Sequence, residues 1–102
     1  MSNNPPFLSD ELKNQFILRR HEELKSFLKS LKTSDFQEIS RIGHRMKGNG
    51  VSFGFPELSS LGEKMENSAK EKNLNQLRFL AVDFTNWVDS HPRPASFLGD
   101  ES

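Results

Sequence analysis

Apolar side chains recur at helical spacing in four separate stretches of the chain. The stripe of the first stretch consists of Leu12, Phe16, Ile17, Leu24, Phe27, Leu28 and Leu31. The stripe of the second consists of Phe36, Ile39, Gly43, Met46, Gly50 and Phe53. The third has Leu58, Leu61, Gly62, Met65 and Ala69, and the fourth has Leu74, Leu77, Ala81, Phe84 and Val88, with Trp87 beside them. Because each stripe needs a partner that covers it, the pattern predicts four packed amphipathic helices.

Capping residues and prolines separate these stretches. Ser9 followed by two carboxylates fits a helix start, and Asp35 fits a second one. Pro56 suits the first turn of a third helix, and Asn73 or Asn75 can cap a fourth. The predicted helices span about 9–32, 35–52, 56–70 and from one of these asparagines to His91.

Short turns between four amphipathic helices are typical of an antiparallel up-down bundle. We therefore predict an all-α protein with one four-helix domain at 9–91. A flexible N-terminal arm at 1–8 and a flexible tail at 92–102 complete the predicted organisation.

Composition and charge exclude several classes of function. Fourteen basic and fourteen acidic residues cancel, and the basic excess of a nucleic-acid-binding module is missing. No apolar run is long enough for a membrane helix, no signal peptide is visible, and the chain has no cysteine. We expect a cytoplasmic monomer that binds neither nucleic acid nor a membrane.

The second predicted helix carries three glycines, although each costs roughly 1 kcal/mol relative to alanine in a helix interior. Gly43 and Gly50 fall on its apolar stripe, where a missing side chain lets a neighbouring helix approach closely. Gly48 falls outside the stripe next to His44, where no packing partner within the domain is expected. A bare patch of backbone beside a histidine is useful if another protein must reach the ring.

His44 and Lys47 are three residues apart, so their side chains lie on one helix surface. A neutral imidazole nitrogen is a competent nucleophile near pH 7, and the lysine could stabilise a phosphoryl group that the ring takes up. The plain alternative is a solvated histidine on a helix flank. His21 falls on the first apolar stripe and is expected to pack, while His91 lies beside a proline at a helix end.

The histidines and carboxylates lack close metal-ligand spacing such as His-Glu-x-x-His. A P-loop and a kinase-type glycine-rich motif are also missing from the sequence. We therefore expect no metal site, no cofactor and no nucleotide site in this chain.

The run His44-x-Met46-Lys47-Gly48, with Gly54 six residues on, resembles the signature of histidine-containing phosphotransfer (HPt) domains, His-x-Leu-Lys-Gly followed by a glycine six residues later. Met46 replaces the commoner leucine, which conserves volume. The segments that follow also fall where the family places its next helix: Phe55-Pro56-Glu57-Leu58, Leu61-Gly62 and Met65-Glu66.

The resemblance implies a phosphorelay carrier without independent catalysis. The histidine matching His44 would accept a phosphoryl group from a receiver-domain aspartate or a sensor histidine kinase, and pass it to a response regulator. The family's lysine matches Lys47, which would stabilise the phosphate, and its small residue matches Gly48. Any Mg²⁺ would be bound by the receiver, and the chain looks like a free-standing shuttle or a piece of a hybrid kinase.

The predicted docking surface is the exposed face around His44, comprising Ser40, Arg41, Arg45, Gly48, Val51 and Phe55. The rival interpretation is a helical adaptor, or an inhibitor, that docks on a two-component signalling protein without taking up phosphate. Both would explain Gly48 but would leave the pairing of His44 with Lys47 without a role. A bundle by itself favours no function.

Overall fold

The computed structural model describes residues 9–94, which contain four α-helices and no strand. Helix α1 spans Asp10–Thr33, α2 spans Phe36–Asn49, α3 spans Pro56–Lys70 and α4 spans Leu74–Ser90. Each helix packs on the next and α4 packs back on α1, which closes the predicted all-α four-helix bundle. The predicted arm at 1–8 and the tail residues 95–102 lie outside the described residues. Within 9–94, no helix has the length and apolar character needed to cross a membrane.

Side-chain caps start three of the four helices. Ser9 caps α1, Asp35 caps α2 and Asn73 caps α4, and each accepts a backbone N–H from the residue three positions later. Pro56 is the first residue of α3, where its missing N–H costs no helical hydrogen bond. The caps therefore lie where the sequence predicts them, with Asn73 chosen over Asn75.

Helix α2 ends earlier than predicted, at Asn49 instead of residue 52. The Val51 N–H donates to Ser59 Oγ at 2.9 Å, so it does not extend the helical ladder. A short 3₁₀ turn at Val51–Phe53 follows, and Gly54 closes it with a left-handed backbone of φ +87°.

The core is built from the predicted stripes, with four differences. The stripes place Leu12 and Leu28 inside, but these residues are 38% and 40% exposed, because Leu12 lies in the first turn and Leu28 lies about 100° from the centre of the buried face. Ile42 and Leu80 are buried although neither lies on a predicted stripe. The apolar side chains with no exposed surface are Phe27, Ile39, Met46, Leu58, Met65, Leu77 and Phe84.

Two charged side chains that are not part of the predicted apolar stripe occupy the centre of the buried face of α1. Arg20 is 1% exposed, its guanidinium lies 4.2 Å above the Phe16 ring, and its Nε lies 2.9 Å from Glu23 Oε1. Glu23 also accepts a hydrogen bond from Arg45 of α2 at 2.8 Å. Burial raises the pKa of the Glu23 carboxyl, and the two arginines oppose that rise.

Five rings close one end of the bundle, and we call Phe16, Phe53, Phe55, Trp87 and His91 the aromatic end. Phe16 stacks on Phe53 with ring centroids 4.4 Å apart, and Phe55 meets Trp87 edge-on at 5.2 Å. His91 stacks on Trp87 at 4.0 Å. The rings join α1, α4 and the connection between α2 and α3 in one apolar cluster.

The sequence places His21 on the apolar stripe of α1, but in the structure this residue lies outside the fully buried face. It is half-buried at the edge of that face, and its Nε2 donates to the His91 carbonyl oxygen at 2.6 Å. Arg93 extends the same attachment with a 3.0 Å ion pair to Glu22. The chain after α4 is therefore held against α1 through residue 93.

Helices α2 and α3 approach so closely that their glycines touch backbone, and we call Gly43, Gly50, Ser59 and Gly62 the α2–α3 seam. A Cβ added to Gly43 would lie 2.6 Å from the Gly62 carbonyl oxygen, and one added to Gly50 would lie 2.5 Å from the Ser59 nitrogen. Neither distance is tolerated by real side chains, so the close approach predicted for these two glycines is confirmed. Gly62 of α3 is also too close to α2 for a side chain, since a Cβ there would lie 2.5 Å from the Gly43 carbonyl oxygen.

Candidate functional site

His44 lies on the outward face of α2, and its side chain is 73% exposed. Gly48, one helical turn later, is exposed, and a Cβ added there would meet nothing within 4 Å. The prediction that this glycine leaves a bare patch of backbone beside the histidine is therefore confirmed. The imidazole is open to a large partner from this side.

The exposed imidazole is held by a carboxylate from the neighbouring helix. His44 Nδ1 lies 3.1 Å from Glu66 Oε2, and the Glu66 side chain is 11% exposed. The α2–α3 seam makes this contact possible, because Gly43 precedes His44 directly and Gly62 lies one turn before Glu66. The sequence places Glu66 in the third helix but gives no sign of its role in the site.

The hydrogen bond assigns the two ring nitrogens different tasks. A carboxylate only accepts, so Nδ1 carries the hydrogen and donates it to Glu66. In the neutral form of the ring, Nε2 then carries the lone pair, and no hydrogen bond to Nε2 is made by the described residues. An exposed imidazole fixed in this way can act as a nucleophile through Nε2.

Positive charges surround the Glu66 carboxylate. Desolvation is the largest single influence and raises the pKa of Glu66, but Lys70, His44 and Lys47 together lower it below its ordinary value. Lys70 Nζ lies 3.5 Å from the same oxygen that His44 contacts. Glu66 therefore stays ionised at neutral pH and remains an acceptor for the imidazole. Lys47 is exposed on α2 and acts on this cluster through its charge.

A groove between α2 and α3 opens beside the imidazole and has a volume of about 520 Å³. We call it the α2–α3 groove; its lining is Phe36, Gln37, Ser40, Arg41, His44, Glu66, Ala69, Lys70 and Lys72. Two residues of the predicted docking surface, Ser40 and Arg41, belong to it. Arg41 also forms an ion pair with Glu38 on its own helix.

The remaining residues of the predicted docking surface divide into two groups. Gly48 and Val51 are exposed beyond His44 along the chain, and Val51 is 64% exposed. Arg45 is partly exposed and turns toward α1, where it pairs with Glu23. Phe55 is half-buried in the aromatic end, packed against Phe16 and Trp87. Gly48 and Val51 are therefore accessible as predicted, whereas Arg45 is engaged with α1 and Phe55 exposes only part of its ring.

Metal ligation finds no support in residues 9–94, where no group of three or more histidine, aspartate or glutamate side chains is arranged to hold an ion. His21 and His91 are both engaged in packing and hydrogen bonds at the aromatic end. Of the three histidines, His44 alone presents a highly exposed ring.

The family model of the Hpt domain matches residues 11–89, which is most of the chain. The chain therefore belongs to the Hpt-domain family, which gives it a phosphotransfer role in two-component signalling. Hpt domains are phosphocarriers that interact with receiver domains and kinases. A search of curated proteins and a search of solved structures each returned no match to the chain.

Proposed function

We propose that His44 is the phosphoacceptor of this Hpt domain and that the phosphoryl group is carried on Nε2. The single observation that carries the proposal is the hydrogen bond from Nδ1 to Glu66, 3.1 Å long, on a ring whose side chain is 73% exposed. This hydrogen bond orients the imidazole and leaves Nε2 without a partner on a largely exposed ring.

Transfer follows from this geometry as an in-line displacement. The Nε2 lone pair attacks the phosphorus of an aspartyl phosphate on a receiver, the bond from phosphorus to the aspartate oxygen breaks, and the aspartate leaves as a carboxylate. The ring gains positive charge in this step, and the Glu66 carboxylate stabilises that charge through Nδ1. We place the required Mg²⁺ on the receiver. The Hpt domain contributes positioning, which accounts for most of what phosphoryl transfer requires.

Lys47 serves the phosphorylated state in this proposal. It lies three residues after His44 on the same helix, so its ammonium can reach the phosphoryl oxygens as a point charge. Before transfer, its charge acts on the Glu66 carboxylate.

Docking uses the exposed surface of α2 around the ring. Gly48 lets the partner's backbone approach, Val51 offers apolar area, and Ser40, Arg41 and Arg45 supply polar contacts. The partners are response-regulator receiver domains, a sensor histidine kinase, or both. The chain acts as a carrier between them.

The experiment is phosphorylation by a panel of phosphorylated receiver domains with Mg²⁺, read by mass as acid-labile, base-stable phosphate on the protein. We expect one phosphoryl group per chain on wild type and none on His44→Gln, whose fold should be unchanged because the ring is exposed. The matched controls His21→Gln and His91→Gln should be labelled as well as wild type. Label retained by His44→Gln would contradict the proposal, and binding without label would favour the adaptor.

A further inference from the structure

The α2–α3 groove combines an apolar floor with a cationic rim. Its floor contains the half-buried ring of Phe36 and the methyl group of Ala69, which is 2% exposed. Arg41, Lys70 and Lys72 lie along its rim. A surface of this kind suits an acidic segment that also carries an apolar side chain.

The groove concentrates positive charge on a chain whose formal net charge is zero. It has three cations and one carboxylate, Glu66, along its lining. Arg41 is paired with Glu38, and Lys70 lies near Glu66. Lys72 has no ion-pair partner among residues 9–94, so its charge is available to a ligand.

Lys72 occupies a backbone position that favours glycine. Its φ is +55°, its N–H donates to the Ala69 carbonyl at 3.0 Å, and the Asn73 N–H donates to the Ser68 carbonyl at 2.9 Å. This pattern is the Schellman ending of a helix, whose left-handed residue is most often glycine. A lysine here is disfavoured by its Cβ, while its side chain lines the groove beside His44. Ser34 has the same left-handed backbone at the end of α1, so it is the position of the Lys72 charge in the groove lining beside His44 that points to a ligand.

We propose that the α2–α3 groove binds an acidic segment of the receiver domain that exchanges phosphate with His44. The carboxylates of that segment face Lys70 and Lys72, and an apolar side chain covers Phe36 and Ala69. This inference rests on the proposed phosphotransfer function. It adds the side from which the partner approaches: the partner covers the α3 side of His44 as well as the bare backbone at Gly48.

The size of the groove indicates what it contributes. About 520 Å³ holds a few side chains, whereas a stable protein interface buries roughly 800 Å² on each partner. The groove is therefore one part of a larger contact. Charge complementarity in such a part accelerates association and fixes orientation, and it weakens as salt screens it.

The test measures transfer from the phosphorylated Hpt protein to receiver domains of the panel. Phosphoramidate, a small donor that needs no docking, loads His44 first, and the second-order rate constant of transfer is then measured at low and high salt. Lys72→Glu reverses the charge on the rim. Lys64→Glu is the matched control, because Lys64 is exposed on the side of α3 that faces α4 and lines a different groove.

We expect Lys72→Glu to lower the transfer rate constant by roughly tenfold at low salt and by much less at high salt. Lys64→Glu should stay within about twofold of wild type. Phosphoramidate should load all three proteins equally. Equal transfer rates for the two charge variants would overturn the proposal.

A second variant separates docking from stability. Lys72→Gly removes the charge and relieves the left-handed backbone, so it should raise the urea midpoint while it slows transfer. Ser34→Gly makes the same backbone change at the end of α1, where φ is +54°, and should raise the midpoint without slowing transfer. A Lys72→Gly protein that is more stable and transfers at the wild-type rate would contradict the proposal.

Failure of the proposed function gives a different result. If phosphoramidate never labels His44, the phosphoacceptor assignment fails, and the groove is tested by titrating receiver domains onto the ¹⁵N-labelled protein. Shifts at Phe36, Ala69 and Lys72 that Lys72→Glu abolishes support the groove as a docking site. Absence of shifts at these residues overturns it. It is also overturned if free polyphosphate, titrated in the same way, shifts these residues while no receiver domain does.

Discussion

The α2–α3 seam and the aromatic end hold the same bundle together by opposite means. At the seam, added Cβ atoms would lie 2.5 to 2.8 Å from backbone atoms of the other helix, so no side chain separates the two helices. At the aromatic end, ring centroids are 4.0 to 5.7 Å apart, and large side chains fill the space. Rings can shift slightly within a cluster, whereas two backbones in contact cannot.

The difference assigns each region a separate role. The seam fixes the distance between His44 on α2 and Glu66 on α3, and therefore the orientation of the imidazole. The aromatic end supplies buried apolar area and anchors the chain after α4. Damage at the aromatic end should therefore reduce stability alone, and damage at the seam should change both stability and the site.

The largest effect on stability is expected for Phe16→Ala. Phe16 stacks on Phe53 and Phe55 and lies under the Arg20 guanidinium, so its removal should cost about 3 kcal/mol in the free energy of unfolding. Urea unfolding followed by circular dichroism and by Trp87 fluorescence gives this value. Phosphoramidate loading of His44, measured where the variant is folded, should match wild type. A variant that loses loading while folded would show that the aromatic end also shapes the site.

Gly62→Ala should destabilise somewhat less, by roughly 2 kcal/mol, because one methyl group forces α2 away from α3. It should also disturb the contact between His44 and Glu66, seen as changed imidazole chemical shifts and slower loading. Gly48→Ala is the matched control: it adds a methyl group to open space and should stabilise the protein by about 0.5 kcal/mol. If both glycine variants behave alike, the seam does not fix the site.

Glu66→Gln should change stability least, by less than about 0.5 kcal/mol at neutral pH, since its ionic contacts are with exposed groups. Its effect should be on phosphoryl transfer, which slows when the carboxylate no longer stabilises the charged ring. Because the folded protein lowers the pKa of Glu66, the stabilising contribution is present at neutral pH. It is lost as the pH falls through that lowered pKa.

The control for this prediction is Glu63→Gln, an exposed carboxylate on the same helix. It should retain the wild-type transfer rate. Stability curves of wild type and Glu66→Gln should converge at acidic pH. Equal transfer rates for Glu66→Gln and Glu63→Gln would remove Glu66 from the mechanism.

The helices, their caps and the exposed position of His44 follow from local patterns in the sequence. These patterns are the apolar spacing, the capping residues Ser9 and Asp35, and the prolines. Each acts within one helix or at its ends, so a single segment of the sequence is enough to predict its effect. The close approach at Gly43 and Gly50 was predictable as well. A glycine destabilises a helix, so its presence on the buried face indicates that a neighbouring backbone occupies the space of the missing side chain.

Contacts between helices could not be predicted in this way. Glu66 contacts His44 across the seam. Arg20 and Glu23 form a buried ion pair on α1, and Glu23 also accepts a hydrogen bond from Arg45 of the next helix. A charged residue carries no local sign of the partner that will bury it. The left-handed backbone of Lys72 likewise depends on how α3 ends and turns into α4.

The central claim is that Nε2 of His44 carries the phosphoryl group because Glu66 holds Nδ1. The measurement that tests it most directly is ³¹P and ¹⁵N NMR of the phosphorylated protein, which distinguishes the two phosphohistidine isomers. The account predicts one phosphohistidine, on His44, with phosphorus on Nε2 and a hydrogen on Nδ1. Phosphorus on Nδ1, or on any residue other than His44, would contradict it.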